Sequence, residues 1–376
     1  MKKKIVHLIH GLNTGGAETL VKNYALGIDE TKYEITILCY EHRNSLYEAI
    51  LKNAGKRVIY VCDDMKLWNR KGIIPKIINH YQLYFAIRKK LRELKPDILH
   101  THLTVNRYVK FAHLPQKTKI FHTVHSEPKK IWFNGGFQRK KDFQAVKWLI
   151  KHYGQRMIVL HEEMKQEVNE LFHVSNSIVL NNGISFTDFE NCKSKCQVRK
   201  ELGIAQESFV IGHVGRFSEP KNHKFLIKVF QEIFANEKNV FLLMVGSGEE
   251  ENSIRQILND SPMKNNYLIL SNRSDIADIM QAMDVFVFPS LYEGLGIALI
   301  EAQKSGLPCF VSERVPLYAK VTDLVDVCSL NKGEKYWAKE ILKAKENPPK
   351  GNIEVPTEWD MKNVIKKLER IYEGEL

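Results

Sequence analysis

Across 376 residues, 44% are hydrophobic and 27% charged, with 56 Lys and Arg against 44 Asp and Glu, a formal net charge of +12. These proportions describe a globular chain too long for one ordinary core, and they exclude a disordered or collagen-like protein. The excess charge lies wholly in the first half: residues 1–185 carry 31 basic and 16 acidic side chains, residues 186–376 carry 25 and 28. Such asymmetry suggests that one half faces something anionic, whether nucleic acid, membrane surface or phosphorylated substrate.

The chain opens on "MKKKIVHLIHGLNTGG". Its basic start is followed by a short apolar run interrupted by His7 and His10 and ending in glycines, which reads as a first strand and not as a signal peptide. Strand-like runs then alternate with helix-period segments: "YEITILCY", "RVIYVC", "DILHTH", "KIFHTV", "RMIVLH" and "SIVLNN", and in a second series "SFVIGHV", "NVFLLMVG", "YLILSN", "DVFVFP" and "PCFVS". Strands separated by helices imply right-handed βαβ crossovers and parallel sheets covered on both faces. Two series predict two doubly wound domains, 1–185 and 186–356, with the break near "NNGISFTDFENCKSKC". The closing segment places Met361, Val364, Ile365, Leu368 and Ile371 on one helical face, which needs a surface to dock on. No run approaches the roughly eighteen uninterrupted apolar residues of a spanning helix. Cys39, Cys62, Cys192, Cys196, Cys309 and Cys328 are scattered without a ligand set, so reduced thiols and a cytoplasmic setting are expected.

In open parallel sheets, ligands bind beyond the carboxyl ends of strands, so the loops after strands are where chemistry is expected. The first, "HGLNTGGAE", brings Gly15 and Gly16 to a helix start where backbone can approach a phosphate or sugar. A tight turn with no ligand is the plain alternative. Its glycines mimic a P-loop, but Ala17 and Glu18 stand where Lys and Ser/Thr would contact phosphate and magnesium, so a nucleotide triphosphatase is excluded. "FHTVHSEP" puts His125 at a strand exit, where it either touches a substrate hydroxyl or serves the structure. "GHVGRFSEPKNH" offers Arg216 and Lys221, a fork and a mobile ammonium able to clamp a diphosphate, although basic loop residues are often merely solvated. "VGSGEEE" begins a G-x-G but has Glu251 at the third glycine position, which argues against a dinucleotide oxidoreductase. "SLYEGLGIALIE" sets Glu293 and Glu301 around Gly294 and Gly296 at a helix N-terminus. Its free N–H groups suit phosphate, and its carboxylates suit the hydroxyls of sugar and ribose. No HExxH or similar zinc spacing occurs among the fourteen histidines, so no metal site is expected.

"GGAE", "VGRFSEPKNH", "DVFVFPSLYEGLGIALIEAQKSGLP" and the terminal helix stand in the order of glycosyltransferase family 4, the retaining nucleotide-sugar transferases of the GT-B fold, and the chain resembles that family over nearly its whole length. The resemblance implies two Rossmann-like α/β domains facing across a cleft, with 357–376 packing back on the first. It implies that Arg216 and Lys221 bind the donor diphosphate, that Glu293 holds donor-sugar hydroxyls and Glu301 ribose hydroxyls, and that the backbone of Gly294, Leu295, Gly296 and Ile297 meets phosphate. Gly15 and Gly16 would approach the donor from the other domain, His125 would face the sugar, and Asn272 and Arg273 in "LSNRSD" would lie beside the base. Leu295 replaces the family's common Phe, which leaves the backbone argument untouched. The implied reaction is metal-independent transfer of a hexose-type sugar, with UDP the first expectation for the nucleotide, to a glycan or lipid-linked acceptor in capsule or exopolysaccharide assembly.

For the basic half, the stretch around "PKKIWFNGGFQRKKDFQAVKWLIKHY" can align Phe143, Val146, Ile150 and Tyr153 on one helix face amid Arg139, Lys140, Lys141, Lys147 and Lys151. This is either a helix lying on an anionic bilayer, at the inner face of the membrane, or one packed on its own domain. No RNA-binding aromatic signature, zinc finger or basic-helix module is present, so nucleic acid is not expected as a partner. Epimerisation or phosphorolysis of a sugar nucleotide stays the alternative on the same fold, against which the E-x7-E pair argues.

Overall fold

The computed structural model describes residues 2–13, 15–65, 73–133, 136–346, 351 and 353–376; Thr14 of the first glycine loop, and Asn134 and Gly135 before the basic helix, lie outside them. The chain divides into two compact units, Met1–Asn182 with Lys362–Leu376, and Gly183–Met361.

Among the described residues, the first unit is built on seven parallel strands: β1 (Lys3–Ile9), β2 (Tyr33–Cys39), β3 (Arg57–Tyr60), β4 (Ile98–His102), β5 (Lys119–Thr123), β6 (Arg156–Val159) and β7 (Ile178–Val179), in the order 3-2-1-4-5-6-7. After two exposed lysines, the five remaining residues of β1 are buried, as a strand covered on both faces requires. The helix Gly16–Gly27 buries Ala17, Leu20, Val21, Tyr24 and Ala25, the i, i+3, i+4, i+7, i+8 stripe of a helix lying on a sheet.

The second unit has six: β8 (Phe209–Val214), β9 (Val240–Val245), β10 (Tyr267–Leu270), β11 (Val285–Phe288), β12 (Cys309–Ser312) and β13 (Val325–Cys328), all parallel, in the order 10-9-8-11-12-13. One face of its core joins Ile211, Leu242, Met244, Val285 and Val287 to Leu226, Phe230 and Ile233 of the helix His223–Asn236 and to Trp337 and Ile341 of the helix Gly333–Glu346. In both units the chain leaves the first strand to one side and later returns to the other, so strand order reverses beside β1 and beside β8. A crevice beyond the carboxyl ends follows from that reversal.

The helix Met361–Glu373, all but its first residue, belongs to the first unit. Val364, Ile365, Leu368 and Ile371 are buried as the sequence expects. Polar contacts pin its end: the Tyr372 hydroxyl lies 2.7 Å from His100 Nδ1, Lys119 donates to the Tyr372 carbonyl at 2.8 Å, and Tyr33 donates to Glu373 at 2.6 Å.

Of the two readings of the basic helix, packing on its own domain accounts for most of its apolar face. The helix Phe137–Tyr153 turns Asp142, Ala145, Val146 and Leu149 inward. Phe143 packs against Trp132 and Phe172, and Tyr153 joins the core around Leu149. The apolar face proposed for a bilayer is thus largely the helix's own packing face, because the adjacent helix Pro128–Phe133 and the sheet supply apolar partners that the sequence pattern could not reveal. Among the described residues, no helix is long and apolar enough to cross a membrane.

Candidate active site

The second unit's site assembles from three strand-exit loops. Beyond β8, Gly215 leads into Arg216, and the short 3-10 turn Glu219–Lys221 brings the chain back over it, so that the Lys221 stem lies against Gly215. Lys221 Nζ is 2.5 Å from Glu293 Oε1, in the loop after β11, and 4.5 Å above the Phe288 ring. The two charged side chains are only 18% and 9% exposed. A cation and a carboxylate drawn from different loops are therefore held together at the point of strand reversal. Backbone bonds lock the loops: Leu291 N–H donates to the Pro220 carbonyl at 2.8 Å and Asn222 Nδ2 to the Pro289 carbonyl at 3.1 Å.

Gly296 caps the helix Ile297–Lys304 with φ +80°, a left-handed conformation that glycine adopts without strain. Gly294, Leu295, Gly296 and Ile297 thus form the approach to a helix N-terminus, with Leu295 buried as an anchor and with N–H groups and a partial positive charge that suit an anion. Glu301 lies one turn further along this helix. Arg216 is exposed and 3.2 Å from Glu249. Asn272 is exposed with φ +55°, and the neighbouring Arg273 is paired with Asp275 at 2.7 Å through Nε. The structure joins Lys221 directly to Glu293; Asn272 and Arg273 instead stand after β10, two strands away from β8.

The loop after β9, dismissed as a failed dinucleotide fingerprint, supports the Arg216 loop. Phe217 N–H donates to Ser247 O, Gly215 N–H to Val245 O, and Glu250 N–H to Phe217 O, all within 3.0 Å. A Cβ on Gly246, whose φ is +151°, would stand 1.9 Å from the Gly215 carbonyl oxygen. Gly246→Ala is accordingly expected to destabilise the second unit by about 3 kcal/mol in urea unfolding. Gly203→Ala, left-handed but with nothing within 4 Å, should cost only about 1 kcal/mol; equal losses would show that the backbone contact does not matter.

Sequence reasoning missed two histidines beneath this site. His213 donates from Nδ1 to the Val287 carbonyl (2.8 Å) and its ring meets His223 edge-on at 4.7 Å. Burial pushes the pKa of His213 down to about 4 and that of His223 to about 2, so both are neutral wedges under the Lys221 loop. Their place just before and just after the cationic loop was the available signal.

In the first unit, Gly15 caps the helix Gly16–Gly27, where Thr19 bonds back to its carbonyl, and the exposed Gly16 follows. His125, beyond β5, is not isolated. His7 Nδ1 lies 2.9 Å from His102 Nε2, and His102 Nδ1 lies 3.1 Å from His125 Nε2. His100, within the same cluster, is held by Tyr372 and by Thr123 at 2.7 Å each. Burial lowers every one of these pKa values, to about 3 for His7 and His125. In a chain of neutral imidazoles each ring must donate at one nitrogen and accept at the other, so the tautomer of His7 sets that of His125. Spacing rules for metal motifs did not find this cluster because its members come from β1, β4 and the loop after β5.

Comparison with known proteins adds the following. Residues 14–187 match Glycosyltransferase Family 4 and residues 194–358 match Glycosyl transferases group 1. A protein named as a glycosyltransferase, EpsF of Bacillus subtilis, is 28% identical over 91% of this chain and 88% of its own. The UDP-Gal:alpha-D-GlcNAc-diphosphoundecaprenol alpha-1,3-galactosyltransferase of Escherichia coli is 29% identical over 83% and 79%. The crystal structure of HepE from Anabaena in complex with UDP-glucose superposes with a TM-score of 0.79, at 16% identity, over 99% of both chains.

Proposed function

The chain is a glycosyltransferase of family 4 with the GT-B fold, acting on a sugar-nucleotide donor, and on that premise we propose that it is a retaining, metal-independent transferase. It moves a hexose-type sugar from a UDP-sugar to a glycan or lipid-linked saccharide in cell-surface polysaccharide assembly. The observation that carries this reading is the Lys221–Glu293 pair beside the helix N-terminus at Ile297. The relative that acts on a diphosphoundecaprenol acceptor supports the lipid-linked form.

In this reading the donor diphosphate draws Lys221 from Glu293, Arg216 adds a second cation, and the amides from Gly294 to Ile297 meet the phosphates. Glu293 then accepts from donor-sugar hydroxyls and Glu301 from the ribose. Asn272 and Arg273 serve the base. The bond between the anomeric carbon and the diphosphate oxygen breaks, and charge grows on the leaving group. Fixed cations and amides stabilise that charge more in the transition state than in the ground state. The acceptor oxygen bonds to the anomeric carbon from the same face, and its proton passes to a phosphate oxygen of the donor. Since the cations do the work of a Lewis acid, turnover should persist in EDTA.

The two carboxylates have separable roles. Glu301→Ala should weaken UDP itself by about tenfold, the scale of a hydrogen bond to a charged group. Glu293→Ala should lower transfer about a hundredfold and leave UDP affinity intact or tighter, because Lys221 is released. Calorimetry with UDP alongside transfer rates separates them, and equal loss of UDP affinity in both variants would sink the assignment.

A further inference from the structure

Between the helices Ile73–Leu94 and Phe137–Tyr153 of the first unit, and over the turn Asn106–Val109, lies a trough of about 900 Å³. Its walls are Tyr81, Phe85, Phe111 and Phe137, exposed by 59%, 65%, 48% and 69%. Four large apolar rings open to water around one cavity make the kind of contiguous patch that marks a binding surface. Its charge is one-sided. Arg88, Arg107, Lys110, Lys140 and Lys141 line it, and no Asp or Glu among the described residues does. The lysines lie along the rings, Lys110 4.8 Å from the centre of Phe111 and Lys141 4.5 Å from that of Phe137.

At the inner end two polar atoms are buried without a hydrogen-bond partner among the described residues, Arg107 Nε and His80 Nε2, and both residues line the trough. The carboxylate of Asp142 accepts from the Arg107 backbone N–H at 3.1 Å and the Trp132 indole at 3.3 Å. A buried donor left unpaired is costly and calls for a ligand. This end also adjoins the crevice at β1 and β4: Arg107 follows β4, and its charge acts on His10 at the exit of β1.

A free anion would not need an aromatic trough, and an apolar peptide would not need five cations. We propose that the trough binds one long-chain lipid phosphate, its hydrocarbon chain along Tyr81, Phe85, Phe111 and Phe137 and its phosphate end at Arg107 and the flanking cations. This rests on the transferase reading in one respect, that such a molecule is then the carrier of the acceptor saccharide.

The test is calorimetric titration of the whole protein with farnesyl diphosphate at saturating UDP, so that the donor's diphosphate site is filled. Farnesyl diphosphate is expected to bind at least tenfold more tightly than either inorganic diphosphate or farnesol. Phe85→Ser with Phe137→Ser should weaken it at least tenfold, with retained UDP affinity as the check on folding. Lys140→Ser with Lys141→Ser, at exposed positions, provides a second variant and should weaken it several-fold. Farnesyl diphosphate binding no better than inorganic diphosphate, or binding untouched by both variants, overturns the proposal. If the variants instead lose only flotation with phosphatidylglycerol vesicles, the trough is a bilayer-docking surface and the single-lipid site is wrong. Failure of the wild-type protein to bind UDP or hydrolyse a UDP-sugar would sink the transferase reading separately and leave the lipid titration interpretable.

Discussion

Lys221→Ala is expected to lower sugar transfer by about 10²–10³-fold, the scale on which loss of one fixed group facing transition-state charge is felt. Two effects compete in that number. Lys221 meets the leaving diphosphate in the proposed reaction, but it also neutralises Glu293, which is 9% exposed and 2.5 Å away. Removing one partner of a buried pair strands the other, at a cost of about 3–5 kcal/mol when burial is complete. A simple loss of activity would therefore be ambiguous. Lys221→Ala combined with Glu293→Gln removes the stranded charge, so the thermal midpoint should recover most of what the single variant loses while turnover stays at least about tenfold below that of Glu293→Gln alone. Turnover equal to that of Glu293→Gln alone would show that Lys221 serves the fold and not the diphosphate. Arg216→Ala should lower turnover by about a hundredfold with no change in midpoint, since that side chain is exposed and 3.2 Å from an equally exposed Glu249.

Acid should unfold the first unit before the second. His7, His10, His100, His102, His122 and His125 all belong to the first unit, and burial holds each below the ordinary histidine range: about 3 for His7 and His125, about 4 for His10 and His122, and well below for His100 and His102. The second unit has two such groups, His213 and His223. For a base whose folded pKa is depressed, the unfolded chain binds more protons below about pH 6.5, so stability is unaffected above that pH and falls as pH drops from there toward the folded values. A histidine brought from about 6.5 to 4 or below costs on the order of 2 kcal/mol at pH 5, and the first unit carries more such groups than the second. Asp142 opposes them: burial raises its pKa to about 6, and its protonation between pH 6 and 4 returns only about 1 kcal/mol at pH 5. Hydrogen exchange read peptide by peptide from pH 7 to 4.5 should show residues 1–182 and 362–376 opening first. Loss of the second unit first, or of neither above pH 4, would contradict this account.

The alternation of apolar runs with helical stripes made both sheets legible, since a strand covered on two faces must be continuously apolar. The first helix stripe, Ala17 to Ala25, follows from the same logic. The loops carrying Arg216, Lys221, Glu293 and Gly296 could be found because chain direction puts strand exits on one edge. Pairing between loops was not legible. Nothing in "EPKNH" says that Lys221 reaches Glu293, 72 residues on, or that Gly246 presses on Gly215. The histidine chain was hidden for the same reason, its rings being brought together by strand order. The basic helix stayed ambiguous because an amphipathic stripe looks the same whether its partner is lipid or protein. Phe143 and Tyr153 face protein, whereas the open rings come from positions 81, 85, 111 and 137.

The docking of Tyr372 on His100 implies an order of events at the ribosome. Residues 183–361 can finish their fold as soon as they emerge, but the earlier unit, its sheet complete, lacks a covering helix until some 180 residues later in translation, when the helix reaching Glu373 arrives to shield Gly27 and the imidazole of His100. A nascent chain stalled before Lys362 therefore carries a finished later half and an unsealed earlier one, with hydrophobic surface open to chaperones or aggregation.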